Sequence, residues 1–258
     1  MAFRELSSEQ VKAYHEDGYV IIREMFDSQE IEMLKTKAKN DPELKSPWER
    51  KDASGKTIRL KLWNHPPDNL YGAFARCERL VGSAERLLDG EVYHYHTKMI
   101  IKEPKVAGAW EWHQDYGYWY NNAVLYPLLT SCMIAVDAST RENGCLQVLK
   151  GSHHIGRIDH GQIGDQTGAD PERVEQAKKR HELVHVELEP GDAVIFHSNL
   201  LHASAANESD KPRWTLICCY NAARNDPYQE IEHPCYTPLT KVPDSAIKET
   251  GRQEIAAE

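Results

Sequence analysis

The sequence predicts a mainly β fold, a double-stranded β-helix (jelly-roll, cupin-like) with N-terminal helices packed on its outer face. Short β-branched or alternating runs separated by turn residues fill most of the chain after Gly90. Residues 1–90 instead show helix capping signals and helical spacing of apolar residues. The length of 258 residues, of which 40% are hydrophobic, suits one sandwich or barrel with a buried core.

Residues 1–90 are predicted to be helix-rich. Ser7 with Gln10, and Asp27 with Glu30, have the spacing of capping boxes, and Gly18 is suited to end the first helix. We expect, in order, a helix over residues 9–17, a strand over 19–22, a helix over 27–40, a polar loop over 41–56 and a helix over 69–88.

Residues 91–225 are predicted to form the jelly-roll core of a single domain that covers residues 1–258, with 226–258 as a C-terminal extension. We expect strands over residues 92–102, 131–136, 145–149, 183–188, 193–197 and 215–220. Turn residues such as Glu189-Pro190-Gly191-Asp192 separate these runs. Residues 161–179 are a polar insertion of the kind that covers the mouth of a barrel.

Charge and cysteine content exclude several classes of function. With 31 basic and 40 acidic residues, the formal net charge of −9 argues against nucleic-acid binding and against anionic membranes. The six cysteines form no C-x-x-C pair, which favours a reducing compartment over a disulfide framework. The N-terminus lacks an apolar signal region, and no window is apolar enough to span a membrane. We therefore expect a cytoplasmic protein without a membrane or nucleic-acid partner.

His113 and Asp115 are the first two members of a predicted metal site. Alternate residues of an extended strand face the same side, so both side chains can point into the barrel. His202, which follows the apolar run at residues 193–197, can supply the third ligand. Two histidines and one carboxylate leave positions open on an octahedral ion, as a non-haem Fe(II) oxygenase requires.

Arg213 is the predicted partner of a ligand carboxylate. It lies eleven residues after His202 and directly before a strand, an offset that places it on the neighbouring strand of a double-stranded β-helix. A guanidinium group binds a carboxylate through two parallel hydrogen bonds. Ser204, two residues after His202, can add a hydroxyl group to the same site.

These segments resemble the phytanoyl-CoA dioxygenase family over nearly the whole chain. The resemblance rests on QVKAYHEDGYVIIREMF at residues 10–26, WHQD at 112–115, RENGCLQVLKGSH at 141–153 and LEPGDAVIFHSNLLHASAANESDKPR at 188–213. It implies that His113, Asp115 and His202 hold Fe(II), and that Arg213, Ser204 and Lys61 bind 2-oxoglutarate. It also implies O2 as the co-oxidant, with ascorbate as an optional reductant. Related halogenases carry a small residue in place of the carboxylate, so Asp115 favours hydroxylation.

Several other motifs have alternative interpretations. The H-E-x-x-H sequence at residues 181–185 matches a zinc-protease motif but continues into an alternating run, which favours a strand. His94 and His96 form an H-x-H pair that can bind metal in cupins, although a place in the cavity wall is favoured. Aromatic residues follow the metal segment and are candidates for substrate contact through their ring faces, together with His96. These aromatic candidates are Tyr116, Tyr118 and Trp119.

The expected function is hydroxylation of a C–H bond in a small molecule, with release of succinate and CO2. A polar or zwitterionic substrate, such as an amino acid or aminophosphonate, is favoured. An acyl-CoA hydroxylase, a cupin-like zinc or manganese hydrolase or isomerase, and a non-catalytic scaffold protein are the alternatives. The chain is expected to be a monomer or homodimer.

Overall fold

The computed structural model describes residues 5–257 and contains two facing antiparallel sheets with helices against one of them. The strands are β1 Tyr19–Ile22, β2 Trp48–Lys51, β3 Thr57–Trp63, β4 Val92–Lys102, β5 Trp110–His113, β6 Leu129–Ala135, β7 Leu146–Leu149, β8 His160–Ile163, β9 Gln166–Ala169, β10 Leu183–Val186, β11 Ala193–His197, β12 His202–Ser204 and β13 Arg213–Ala222. The helices are α1 Ser8–Asp17, α2 Ser28–Asn40, α3 Leu70–Arg76, α4 Glu78–Leu87, α5 Asp115–Trp119, α6 Pro171–Lys178 and α7 Ser245–Ala257. Within residues 5–257, 3₁₀ helices occupy Pro42–Lys45, Tyr120–Asn122, Ser152–Ile155 and Ala223–Asn225.

The larger sheet has seven strands in the order β1-β11-β6-β13-β4-β3-β2, and the smaller sheet has four in the order β10-β7-β12-β5. Their inner faces share a core to which Ile100, Met133 and Ile217 contribute from the larger sheet and Leu146 and Val148 from the smaller one. The sheets face each other without closing into a barrel. This arrangement confirms the predicted cupin-like jelly roll.

The N-terminal helices cover the outer face of the larger sheet. Both predicted capping boxes are present, since the side chains of Ser7 and Asp27 accept hydrogen bonds from the backbone of the N3 residue and each N3 side chain bonds back. Apolar residues of α2, such as Leu34, join outward-facing residues of β4, β6 and β11 in a second core cluster. Helix α7, which belongs to the C-terminal extension, packs against α2 and α3.

Two expectations for the N-terminal part were wrong. The helix predicted over residues 69–88 is divided into α3 and α4, because the backbone of Cys77 is extended and pairs with Val242 of the C-terminal segment. The polar loop predicted over 41–56 contains a 3₁₀ helix and strand β2. That strand is solvent-exposed and therefore lacks an apolar pattern, and it forms by pairing with β3.

The insertion between β7 and β10 has regular structure. It contains the β8–β9 hairpin and helix α6, and β9 packs against β5, which carries His113. The hairpin therefore lies beside the strand that leads into the predicted metal site.

Among the described residues, no helix is both long and apolar enough to cross a membrane.

Candidate metal and 2-oxoglutarate site

His113, Asp115 and His202 meet between the two sheets. His113 ends β5 and His202 begins β12, and these two residues are directly paired across the smaller sheet. Strand β5 stops at His113, so Asp115 does not share the strand as predicted but begins α5. Gln114 between them is extended, which keeps the two side chains on the same side. The alternation inferred from the sequence therefore brings both side chains together, although the strand is shorter than predicted.

The three side chains have the spacing of a metal site. One nitrogen or oxygen atom from each lies within 4.8 Å of the others, and all three residues are buried. Oδ1 of Asp115 is 3.7 Å from Nε2 of His113 and 3.8 Å from Nε2 of His202. Among the described residues, this is the group of at least three His, Cys, Asp or Glu side chains arranged to hold a metal ion. The H-x-H pair of His94 and His96 does not join it.

Backbone carbonyls fix both imidazoles in the form that binds metal. Nδ1 of His113 lies 2.7 Å from the carbonyl oxygen of Glu111, and Nδ1 of His202 lies 2.9 Å from that of Leu200. A carbonyl oxygen can only accept, so Nδ1 carries the proton in each ring and Nε2 offers its lone pair. Burial lowers the pKa of both histidines. Both rings are therefore held neutral, as metal ligation requires.

Two hydroxyl groups orient the Asp115 carboxylate. Ser131 on β6 donates to Oδ2 at 2.7 Å, and Tyr118 donates to Oδ1 at 2.8 Å. Burial would raise the pKa of Asp115, but nearby positive charge, led by Lys98, holds it well below its ordinary value. The carboxylate is ionised and held in one orientation. Two neutral imidazoles and one carboxylate on one side of an ion suit Fe(II) and leave positions for 2-oxoglutarate and O2.

A cationic site for a carboxylate lies farther along the larger sheet. Arg213 on β13 pairs in register with Lys102 on β4, and both side chains are almost completely buried. Lys102 Nζ donates to Ser204 Oγ at 2.8 Å and to the carbonyl oxygen of Ala205. Arg213 Nε has no hydrogen-bond partner in the described part of the chain, and burial lowers the pKa of this group to about 10. A buried guanidinium group with an unused donor fits the distal carboxylate of 2-oxoglutarate.

Lys61, which the resemblance assigned to 2-oxoglutarate, is not brought to this group. Its neighbours Leu60 and Leu62 pack in the core between the sheets, so the alternation of β3 turns Lys61 toward the opposite face. There Lys61 Nζ lies 3.0 Å from Oε2 of Glu43. Two lysines of β4, Lys98 and Lys102, do lie on the inner face, since Lys98 is in register with core residues of β3 and β13 and Lys102 bonds to Ser204 of the smaller sheet.

The inward orientation of these two lysines has a signal in the sequence that was not among the predictions. Even-numbered residues of β4 include His94, His96, Lys98 and Lys102, and such alternation predicts one polar face. In the structure, His94 bonds to Thr97 at 2.8 Å and is part of the local packing. His96 reaches the interior, where its Nε2 has no hydrogen-bond partner among the described residues.

The structure brings some of the predicted aromatic substrate contacts to the metal group and directs another away from it. The ring of Trp119 lies 5.4 Å from that of His96 and 5.2 Å from that of Tyr95, centroid to centroid. Tyr118 reaches the metal group through its bond to Asp115. Tyr116 is directed elsewhere, because its hydroxyl group donates to the carbonyl oxygens of residues 124 and 125. Trp119, Tyr118 and His96 are therefore near the metal group, and Tyr116 supports the following loop.

The other histidine motifs are structural. Residues 183–186 of the H-E-x-x-H segment form β10, and His181 bonds to the carbonyl oxygen of Lys150 at 2.9 Å, so the two histidines do not share a helix face. His153 lies in a 3₁₀ helix and bonds to the carbonyl oxygen of His15 at 3.1 Å. The strand interpretation of the H-E-x-x-H segment is confirmed.

Comparison with known proteins agrees with this geometry. The family model of phytanoyl-CoA dioxygenase (PhyH) matches residues 14–215. L-proline trans-4-hydroxylase of Streptomyces griseoviridis is 27% identical over 86% of this chain and 88% of its own length. Ectoine dioxygenase of Sphingopyxis alaskensis is 26% identical over 85% of this chain and 77% of its own length.

Solved structures show the same fold. The crystal structure of EctD from S. alaskensis with 2-oxoglutarate and 5-hydroxyectoine has a TM-score of 0.78 at 23% identity, covering 92% of this chain and 88% of that one. The same enzyme with bound Fe gives a TM-score of 0.77 at 23% identity over the same shares of both chains. The matched family model covers most of this chain, including His113, Asp115, His202 and Arg213. The chain therefore belongs to the phytanoyl-CoA dioxygenase family of iron- and 2-oxoglutarate-dependent oxygenases.

Proposed function

We propose that this protein hydroxylates a C–H bond of a small, amino-acid-like molecule, using Fe(II), 2-oxoglutarate and O2. One observation supports the proposal most strongly. The buried group of His113, Asp115 and His202 lies in the same interior, between the two sheets, as the buried Arg213, whose Nε has no hydrogen-bond partner among the described residues. A metal hydrolase or isomerase would need only the first part of this arrangement. The second part is explained by a dicarboxylate cosubstrate.

Different residues would hold the iron, bind the cosubstrate, orient the Asp115 carboxylate and exclude water. His113, Asp115 and His202 would hold the iron, and Arg213, with Ser204 beside it, would bind the distal carboxylate of 2-oxoglutarate. When bound, the metal and this cosubstrate supply the oxidising power, with succinate and CO2 released alongside the hydroxylated product. Ser131 and Tyr118 keep the Asp115 carboxylate in one orientation. The core between the sheets surrounds the group with apolar side chains and limits access of water.

The similarity to relatives supports a small substrate. The two relatives described above act, by their names, on L-proline and on ectoine, and the chain covers most of the length of both. An acyl-CoA thioester remains the second candidate through the name of the family. A cytoplasmic location and a monomeric or homodimeric state belong to the proposal as well, and cell fractionation and gel filtration would test them.

A succinate-release assay tests the proposal. Purified protein with Fe(II), ascorbate, 2-oxoglutarate and O2 is incubated with free amino acids, ectoine and phytanoyl-CoA in parallel, and products are examined for the mass of one added oxygen atom. We expect a free amino acid or a cyclic relative to stimulate succinate release and gain oxygen. Stimulation by the acyl-CoA alone would replace the small-substrate proposal. The variant Asp115→Ala should abolish product, and exposed Asp210→Ala serves as its matched control.

A further inference from the structure

Lys98 brings a positive charge into the interior beside the metal group. On β4 it lies in register between Leu62 of β3 and Ile217 of β13, and both of these neighbours pack in the core between the sheets. Lys98 is half-buried. In the described part of the chain it forms neither a hydrogen bond nor an ion pair, unlike Lys102 four residues later. A partly desolvated ammonium group that forms no direct hydrogen bond or ion pair is unfavourable unless a ligand supplies the partner.

Lys98 lies near the metal group on the inner face of β4. His96, two residues away on the same face, is in register with Cys219 of β13, and Cys219 is in register with Ser131 of β6. Ser131 Oγ donates a hydrogen bond to Oδ2 of Asp115. The inner face of β4 around Lys98 is therefore the part of the sheet that lies beside the metal group.

The geometry of β4 separates Lys98 from the cosubstrate carboxylate site. Lys98 and Lys102 are four residues apart in an extended strand, which corresponds to about 13 Å between their backbones. Lys102 is the residue in register with Arg213 and bonded to Ser204. Lys98 is therefore available to a molecule other than the distal end of 2-oxoglutarate.

The charge balance of the loaded site indicates an anion. Fe(II) with Asp115 carries one net positive charge, 2-oxoglutarate brings two negative charges, and Arg213 restores neutrality, so an ammonium group on Lys102 already leaves the site positive. The charge of Lys98 is not balanced either, and an ammonium group pairs well with a carboxylate. About two residues along the strand, His96 offers its unpartnered Nε2, and Trp119 lies against its ring. A compact molecule is long enough to contact Lys98 at one end and His96 with Trp119 at the other.

From this arrangement we infer that Lys98 anchors a carboxylate of the primary substrate, beside the metal group and apart from the 2-oxoglutarate site. The remainder of the substrate then faces His96 and Trp119. The inference rests on the proposed function and narrows its substrate class to amino acids and other small molecules with a free acid group. Neutral molecules of the same shape are excluded from efficient turnover.

The test compares acids with their neutral analogues. Wild type, Lys98→Gln, Lys98→Arg and the control Lys105→Gln are assayed for succinate release with the proteinogenic amino acids, L-proline included, and ectoine. Each amino acid that stimulates release is compared with its carboxamide. Lys105 is exposed and pairs with Asp210 on the surface, so its variant removes the same charge away from the interior. Anaerobic absorption of the Fe(II)–2-oxoglutarate chelate is recorded for every variant.

We expect acids, and not their carboxamides, to stimulate the wild type. Lys98→Gln should raise KM for the acid about ten- to hundredfold, the loss expected for one charge-assisted hydrogen bond, and leave KM for 2-oxoglutarate within about twofold. Lys98→Arg should recover part of this loss because it keeps the charge. Lys105→Gln should behave as wild type.

Two results would overturn the inference without touching the proposed function: equal turnover of an acid and its carboxamide, and an unchanged KM for the acid in Lys98→Gln. A panel in which no acid stimulates succinate release, although the wild type shows the chelate band, would overturn the inference together with the amino-acid-like substrate class. A raised KM for 2-oxoglutarate in Lys98→Gln would assign Lys98 to the cosubstrate instead. Failure of the proposed function itself has a different signature, since the wild type would then show no chelate band.

Discussion

Ser131 donates a hydrogen bond of 2.7 Å to Oδ2 of Asp115, joining the centre of the larger sheet to the carboxylate ligand. Ser131 lies on β6, whereas the histidine ligands belong to the smaller sheet. The bond therefore fixes the carboxylate relative to both sheets. Asp115 cannot turn toward solvent without breaking this buried hydrogen bond, which would leave the Ser131 hydroxyl group with only the Cys219 thiol group as a partner.

Loss of the Ser131 hydroxyl should weaken metal binding. Groups that orient a metal ligand are worth about ten- to hundredfold in metal affinity, and we expect a loss of that size in Ser131→Ala. Fe(II) affinity is measured by anaerobic titration against a competing chelator. Ser139→Ala is the matched control, because its Oγ is also buried but has no hydrogen-bond partner among the described residues. Equal affinities of wild type and Ser131→Ala would show that Asp115 is oriented without this bond.

Lys102 should contribute to the binding of 2-oxoglutarate. Lys102→Met keeps the length of the side chain but removes its donors to Ser204 and Ala205 and the charge beside Arg213. We expect KM for 2-oxoglutarate to rise by about tenfold or more, the range for a lost charge-assisted bond. Lys105→Met at the exposed end of the same segment is the control. An unchanged KM, with the fold intact by circular dichroism, would limit Lys102 to a structural role.

Trp119 should affect the substrate more than the cosubstrate. Its ring lies 5.4 Å from that of His96, near the anchor that we assign to Lys98, whereas Arg213 is in register with the far end of β4. Trp119→Phe is preferred to alanine, because truncation of a buried tryptophan costs about 3–5 kcal/mol of stability. We expect a raised substrate KM with little change in that for 2-oxoglutarate, and exposed Tyr120→Phe should change neither. Equal increases in both constants would count against substrate contact.

Stability of the metal-free protein should fall as the pH decreases below neutrality. Burial lowers the pKa of His94 from its ordinary 6.5 to about 3, so the unfolded chain binds a proton over this range and the folded chain does not. Stability is therefore lost as the pH falls from about 6.5 toward 3, with a limiting slope of about 1.4 kcal/mol per pH unit for each such histidine.

Urea unfolding of metal-free protein at pH 7 and pH 5 measures this effect. His94→Asn should lose less stability than wild type between the two pH values, although its absolute stability is lower. The control His154→Gln removes an exposed histidine and should retain the wild-type slope. Identical slopes for wild type and His94→Asn would contradict the assignment of this proton uptake to His94.

Local patterns in the sequence predicted much of the fold and the centre of the site. Strands β4 and β11 have the predicted bounds because each is a continuous apolar or alternating run between turn residues. The grouping of His113 with Asp115 was predictable because period-two alternation still holds through the extended Gln114. The capping boxes at Ser7 and Asp27 were predictable because they depend on neighbouring residues alone.

Features that depend on distant pairing were not predicted. The break at Cys77 arises from its bridge to Val242, and no local signal marks that partner. The orientation of Lys61 follows from its place opposite Met99 of β4 and from its pairing with Glu43, both of which require the folded sheet. Lys98 was missed because a lysine in a strand is most often solvated, and its inward face is known only once Leu62 and Ile217 lie beside it.

The central claim is that the triad and Arg213 together hold Fe(II) and 2-oxoglutarate. Anaerobic titration of metal-free protein with both components, followed through the weak visible charge-transfer band of the chelate, tests it most directly. Arg213→Leu and Arg213→Lys are titrated beside the exposed control Arg59→Leu. We predict a band in wild type and control, a large loss of 2-oxoglutarate affinity in Arg213→Leu and partial recovery in Arg213→Lys. Absence of the band in wild-type protein that binds zinc tightly would contradict the account.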